Sequence, residues 1–337
     1  MNVEDRINAL VQLGDFLATK PPELDAAVRK AYAENRWFIP ENGYASVEAV
    51  RKEFLNEKAL RDWVAHYDLG NIKPIAVGLV LAGNIPLVGF HDMLAVFISG
   101  HIAKIKLSDK DTALMKLMVE TLAQINPKTK AYLRIVDKLD DFDAVIATGS
   151  DNTARYFETY FGKYPNIIRH NRNSVAVLSG KESLEDLHAL GKDIFTYFGL
   201  GCRNVSKIFV PKGYDFQPLL EELHKYNKII LNDKYKNNFD FAFTLYIMNK
   251  EFHMSNGCLI LHESASLSSR ISTLHYAFYD DADKLYEELA QNEKEIQCVV
   301  AKDRPTNLPH VPFGKTQSPG LMDYADGVDV MEFLVGL

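Results

Sequence analysis

Apolar residues recur at helical spacing over 3–19, 22–35 and 46–67, and each run predicts an amphipathic helix. Pro21-Pro22 and Ser46 stand where helices are expected to begin. From Lys73 onward the pattern changes to short, nearly continuous apolar runs alternating with helical stretches. Strands are predicted at 74–81, 102–107, 132–136, 144–147, 167–169 and 174–178, with helices at 87–99, 111–125 and 152–161. A long amphipathic stretch at 183–198 leads to a strand at 207–210. A helix at 216–227, a strand at 257–262, a helix at 282–291 and a strand at 297–301 follow less regularly. Such alternation indicates βαβ units, mostly parallel sheets and an α/β fold. Pro305, Pro309, Pro312 and Pro319 crowd the segment 302–320, which reads as a long ordered loop or a domain crossover.

Composition narrows the class without choosing within it. A chain of 337 residues suits two domains better than one, and two α/β lobes with Cys202 near their junction are expected. The hydrophobic and charged shares, 47% and 25%, are ordinary for a soluble protein. A formal charge of −7 argues against a dedicated nucleic-acid binder. Residues 1–6 lack a basic start followed by an apolar run, so no signal peptide is expected. The longest apolar stretch, 75–90, is broken by Asn84, Pro86 and three glycines, which argues against a membrane span. Three cysteines without metal-ligand spacing suggest reduced thiols, no metal and a cytoplasmic location.

Four segments carry candidate chemistry. Cys202 lies in Phe198-Gly199-Leu200-Gly201-Cys202-Arg203-Asn204, on a predicted turn between a helix and a strand. The glycines permit close approach to a flat carbonyl carbon, and Arg203 would favour the thiolate. A small buried hydrophobe is the other reading of such a cysteine. Asn84, in Gly83-Asn84-Ile85-Pro86, ends a buried strand, where an amide can donate to an oxyanion or simply cap a helix. Lys106, with Ser108 and Asp109, ends the next strand, the place where open α/β sheets bind ligands; Lys106 could hold a phosphate or ribose and Asp109 a ribose hydroxyl. A solvated loop reads equally well there. Gly149-Ser150 closes a third strand before a helix and could offer N–H groups to a diphosphate, although a plain helix cap looks the same.

Taken together, in this order, the segments resemble the aldehyde dehydrogenase superfamily over about residues 70–330. Asn84 before Pro86 is similar to that family's oxyanion asparagine. Lys106, Ser108 and Asp109 are similar to its Lys-Pro-Ser-Glu cofactor segment, with Leu107 in place of Pro. Thr148-Gly149-Ser150 resembles its cofactor turn, and Gly201-Cys202 its nucleophile segment. Glu263 resembles the glutamate that holds the nicotinamide ribose, and the run from Phe313 to Gly320 resembles a C-terminal Phe-Gly-Gly motif. The segment 167–175 departs from the pattern, because it holds no carboxylate where hydrolytic members carry a glutamate base. That departure, with the Gly-x-Gly-Cys-Arg-Asn-Val-Ser run, makes the LuxC-type fatty acyl-CoA reductases the nearest resemblance.

The resemblance implies two parallel-sheet lobes with the active site between them: a helical N-terminus and cofactor lobe at 1–180, a catalytic lobe at 181–312, and a segment at 313–337 returning to the first lobe. It implies reduction of an acyl-CoA to an aldehyde, with NADPH favoured over NADH as donor. In that reaction Cys202 is the nucleophile and Asn84 the oxyanion donor. Lys106, Ser108, Asp109, Gly149, Ser150 and Glu263 hold the cofactor. An acyl-transferring protein partner and an oligomer are compatible with it. A CoA-independent NAD-dependent aldehyde dehydrogenase, with His170 or another group as base, and a non-catalytic partner subunit are the alternatives. His91 and His101 are expected to do no chemistry, and Cys258 and Cys298 to be inert core thiols.

Overall fold

Parallel strands are buried on both faces, and the chain supplies them as short Val/Ile/Ala-rich runs joined by helices. The computed structural model describes residues 1–70, 72–149, 151–302 and 308–337. They form two units, residues 1–171 with 319–337 and residues 172–318.

In the first unit, helices Val3–Ala18, Pro22–Glu34, Pro40–Ala49 and Glu57–Val64 precede the sheet. Asn2 and Asp5 form a capping box, and two of these helices begin on proline, whose missing N–H costs nothing there. The single helix expected over 46–67 is corrected. It begins earlier, at Pro40, widens into a π turn at Val50–Phe54 and restarts after Asn56, whose side chain accepts from Ala59 N–H. Ser46 is therefore not a helix start. It is buried inside a helix, and its hydroxyl donates to the Pro86 carbonyl at 2.7 Å.

Five strands follow: β1 (Ala76–Val80), β2 (Ile102–Lys106), β3 (Leu133–Ile135), β4 (Ala144–Thr148) and β5 (Asn166–Arg169). They pair in the order β3-β2-β1-β4-β5, all parallel. The strand order reverses between β1 and β4. Helix Phe90–Ser99 starts three residues later than the expected 87, because Leu87 has φ 58 and cannot begin a right-handed helix. The segment 319–337 completes this unit. His91 and His101 bond the carbonyls of Leu321 and Leu334 at 2.9 Å each, and Trp63 donates to the Tyr324 hydroxyl at 2.7 Å.

The second unit holds β6 (Asn173–Val177), β7 (Val205–Pro211), β8 (Met254–Ser255), β9 (Ile260–Glu263), β10 (Thr273–Tyr279), β11 (Ile296–Val300) and β12 (His310–Val311). Their order is β12-β11-β6-β7-β10-β9-β8, and among these pairings β8–β9 is antiparallel. Helices Leu184–Phe195 and Gln217–His224 cover Ala176, Ile208 and Val210, while helix Ala282–Gln291 covers Val175, Val177 and Phe209. Helix Asp233–Asn249 and strand β10 escape the sequence pattern. The helix spreads Tyr235, Phe239, Ala242 and Tyr246 on the inside and Phe241, Ile247 and Met248 outside, so no single apolar stripe marks it. Among the described residues no helix is long and apolar enough to cross a membrane.

Candidate active site

The loop that carries Cys202 is built by the end of helix Leu184–Phe195, which stops three residues short of the expected 198. Tyr197, Phe198 and Gly199 take φ of 54, 60 and 74, so the chain turns left-handed immediately after the helix. Glycine does this freely; for the two aromatics it costs about 1–2 kcal/mol each. Burial of both rings holds them there. Phe198 lies against Tyr235 of helix Asp233–Asn249, 6.0 Å between ring centroids, and the Tyr235 hydroxyl donates to the Cys258 carbonyl at 2.8 Å.

Asn204 closes the loop. Its Oδ1 accepts from the Gly201 N–H at 2.8 Å, and its Nδ2 donates to the carbonyls of Asp193, Ile194 and Thr196 at 3.0, 3.4 and 2.9 Å. Those carbonyls are the orphaned acceptors of a helix C-terminus, and one buried amide satisfies them while holding the residue before Cys202. From the other side the Ser174 hydroxyl donates to the Cys202 carbonyl at 3.0 Å. Since that hydroxyl has one proton, the Cys298 thiol, 3.1 Å away, is the donor in the remaining contact. Asp193 is also buried, and its carboxylate accepts from the N–H groups of Gly314 and Thr316 and from the Thr316 hydroxyl, which ties the Phe313–Gly314 run to the same helix end.

The three cysteines differ sharply. Cys258 and Cys298 are fully buried, which pushes each thiol up to about 11, whereas Cys202 is partly exposed. Glu263 stands exposed at the carboxyl end of β9, opposite Tyr276. The loop after it runs over β7, where Lys207 Nζ donates to the Ala265 carbonyl and Ser206 Oγ to the Leu267 carbonyl, at 2.8 and 2.7 Å.

In the first unit, three strand ends lie level. Val80 of β1 is opposite Lys106 of β2 and Ala147 of β4, which brings Asn84, Lys106, Ser108, Asp109 and Gly149 to one edge of the sheet, beside the point where strand order reverses. Asn84 and Asp109 are exposed there. The backbones are packed closely: a Cβ on Gly83 would fall 2.5 Å from Ser108 Oγ, and one on Gly149 would fall 3.0 Å from Thr153 and Phe157. Helix Asp151–Phe161 begins just past Gly149. Ser150 lies outside the described residues. Level strand ends, a glycine ahead of a helix N-terminus and a half-buried Lys106–Ser108 loop that ends on the exposed Asp109 fit the phosphates and ribose of a dinucleotide. His170 lies 3.4 Å from Glu158, both about half exposed, as expected of a surface histidine.

Sequence reading alone gave no role to Ser174, Asp193, Asn204 or Asp111. Asn204 lay within the quoted cysteine motif, but its bonds reach back as far as eleven residues, which no local pattern signals.

A sequence profile of the acyl-CoA reductase (LuxC) family matches residues 22–233, more than half of the chain. A long-chain acyl-protein thioester reductase from Aliivibrio fischeri is 27% identical over 298 residues, covering 73% of this chain; the chain spans 60% of the length of that relative. Among solved structures, aldehyde dehydrogenase 21 from Physcomitrella patens covers 100% of this chain and 84% of its own, with TM-score 0.72 and 12% identity. An NAD+ complex of an aldehyde dehydrogenase from Bacillus cereus covers 90% of this chain and 72% of its own, with TM-score 0.64 and 13% identity. The structural likenesses establish an aldehyde dehydrogenase-like fold of parallel α/β sheets, and the profile match shows that the chain belongs to the acyl-CoA reductase (LuxC) family.

Proposed function

We propose that the protein reduces a long-chain acyl thioester to the aldehyde: acyl-CoA + NAD(P)H + H⁺ → aldehyde + CoA + NAD(P)⁺. The observation that carries this reading is the placement of Cys202, the partly exposed thiol of the three, on a loop that Asn204 and Ser174 hold from both sides. The thiolate attacks the thioester carbonyl and expels CoA, leaving an acyl-cysteine. Asn84 donates to the oxyanion in this step. Lys106, Ser108, Asp109, Gly149 and Ser150 hold the phosphates and ribose of the cofactor, and Glu263 the nicotinamide ribose. A bound reduced nicotinamide supplies the hydride, with NADPH favoured. The relative's name adds a protein-borne acyl group as an alternative donor.

The absence of a carboxylate from 167–175 supports a reductase over a hydrolytic dehydrogenase, since water lacks an activating base there. The test is hexadecanoyl-CoA added without reductant. One equivalent of CoA should be released and a stable acyl adduct should appear on Cys202 by intact-mass spectrometry. NADPH should then discharge it as aldehyde, and excess CoA as acyl-CoA. Cys202→Ala should form no adduct. Steady release of free acid would move the reading to a CoA-independent dehydrogenase, and no adduct at all to a non-catalytic subunit.

A further inference from the structure

The turn that presents Asn84 is not held by its own backbone alone. Leu87 sits at its base with φ 58, an unfavoured conformation for a residue with a Cβ, and its side chain is buried in the core of the first unit. Two buried side chains fix the backbone around it. The Asp111 carboxylate accepts from the Leu87 N–H at 2.7 Å, and the Ser46 hydroxyl donates to the Pro86 carbonyl, also at 2.7 Å. Asp111 is 3% exposed, and among the described residues its second oxygen, Oδ1, has no hydrogen-bond partner. A buried carboxyl spending one oxygen on a single amide is costly to keep, and the Leu87 N–H is the group it holds. Asp111 also belongs to the loop of Lys106, Ser108 and Asp109, its own N–H donating to the Ser108 carbonyl at 3.0 Å. Gly83, next to Asn84, packs against Ser108. The carboxylate therefore ties the Asn84 turn to the candidate cofactor loop.

We propose that Asp111 is a positioning residue that, through Leu87, sets the direction of Asn84 during acylation. The inference rests on the reading of Asn84 as oxyanion donor. If Asn84 is merely a surface residue on a turn, Asp111 has nothing to direct.

The test measures single-turnover acylation of Cys202 by hexadecanoyl-CoA in quench-flow, together with melting temperature and NADPH affinity. Asn84→Ala should slow acylation by roughly 10²–10³-fold, the usual loss for one oxyanion donor. Asp111→Leu, which fills the space but accepts no bond, should slow it by about tenfold or more, a fraction of that loss. Asp111→Asn retains a carbonyl oxygen for the Leu87 N–H and should restore acylation to within about threefold of the parent while NADPH affinity is unchanged. In the Asn84→Ala background, Asp111→Leu should cost less than about twofold, because coupled residues are not additive. Should Asp111→Leu not fold, Asp111→Ser, too short to reach the amide, makes the same comparison. Parental acylation by Asp111→Leu (or Asp111→Ser), or full multiplication of the two losses, overturns the inference. Parental acylation by Asn84→Ala is a different failure, because it removes the oxyanion reading itself.

Discussion

Replacing Asn204 tests how much of the hold on the loop around Cys202 comes from its amide. Asn204→Ala removes an acceptor from the Gly201 N–H and donors from the carbonyls of Asp193, Ile194 and Thr196. Three of the bonds have ordinary length, so at roughly 1 kcal/mol each the loss is about 3 kcal/mol, the fourth at 3.4 Å adding little. At about 2–4 °C per kcal/mol for a domain of this size, melting should fall by roughly 6–12 °C. Asn204→Asp gives the sharper comparison. It is nearly the same shape, yet of its four partners only the Gly201 N–H is a donor, and the three carbonyls would face a carboxylate. The Asp variant should therefore be no more stable than the Ala variant at neutral pH. It should regain part of the loss in acid, where a protonated carboxyl can donate once. Differential scanning calorimetry over a pH series, beside the acylation assay, reads both quantities. An Asp variant with parental melting and acylation at neutral pH would refute the clamp.

The remaining expectations are more local. Iodoacetamide at pH 8 should alkylate Cys202 in the native protein and reach Cys258 and Cys298 only after unfolding, because burial pushes both of those thiols up to about 11; peptide mass mapping that finds either one modified in the native protein would contradict this. Burial also pushes the Asp111 carboxyl up to about 7 from 3.8, so between those two pH values the folded chain holds a proton that the unfolded chain has lost. The stability that Asp111 contributes should thus fall as pH rises from about 4 to about 7, and urea midpoints of Asp111→Asn should lack that part of the slope. Asp92 and Arg169 form a buried ion pair in the first unit. Asp92→Ala should cost about 3–5 kcal/mol by urea denaturation, and a loss below about 1 kcal/mol would show that the guanidinium finds other partners.

What the chain states locally, the sequence alone determines. Parallel strands are short apolar runs, and Asn84, Lys106 and Gly149 fall at their carboxyl ends because helices must begin there. The Gly–Cys–Arg–Asn run is likewise a contiguous signature, so an α/β fold and these candidate residues are legible in the chain itself. Proline at Pro40, rather than the serine at Ser46, opens the third helix, since a hydroxyl that caps a helix and one that bonds a distant carbonyl look the same in a string. Helix Asp233–Asn249 stayed invisible because its aromatics serve two sides. Strand β10 stayed hidden as well; His275 is buried in it, with its ring nitrogen bonded to the Ser266 carbonyl, and polar residues of that kind mask a strand's apolar pattern. Only the tertiary structure decided what holds the candidate residues in place: Asn204 under the Cys202 loop, Ser174 beside it, and Asp111 and Ser46 beneath the Asn84 turn. Each of these acts through a hydrogen bond between residues distant in sequence or across a turn whose direction depends on packing. Periodicity records which face of an element is buried, but not which buried polar group meets which.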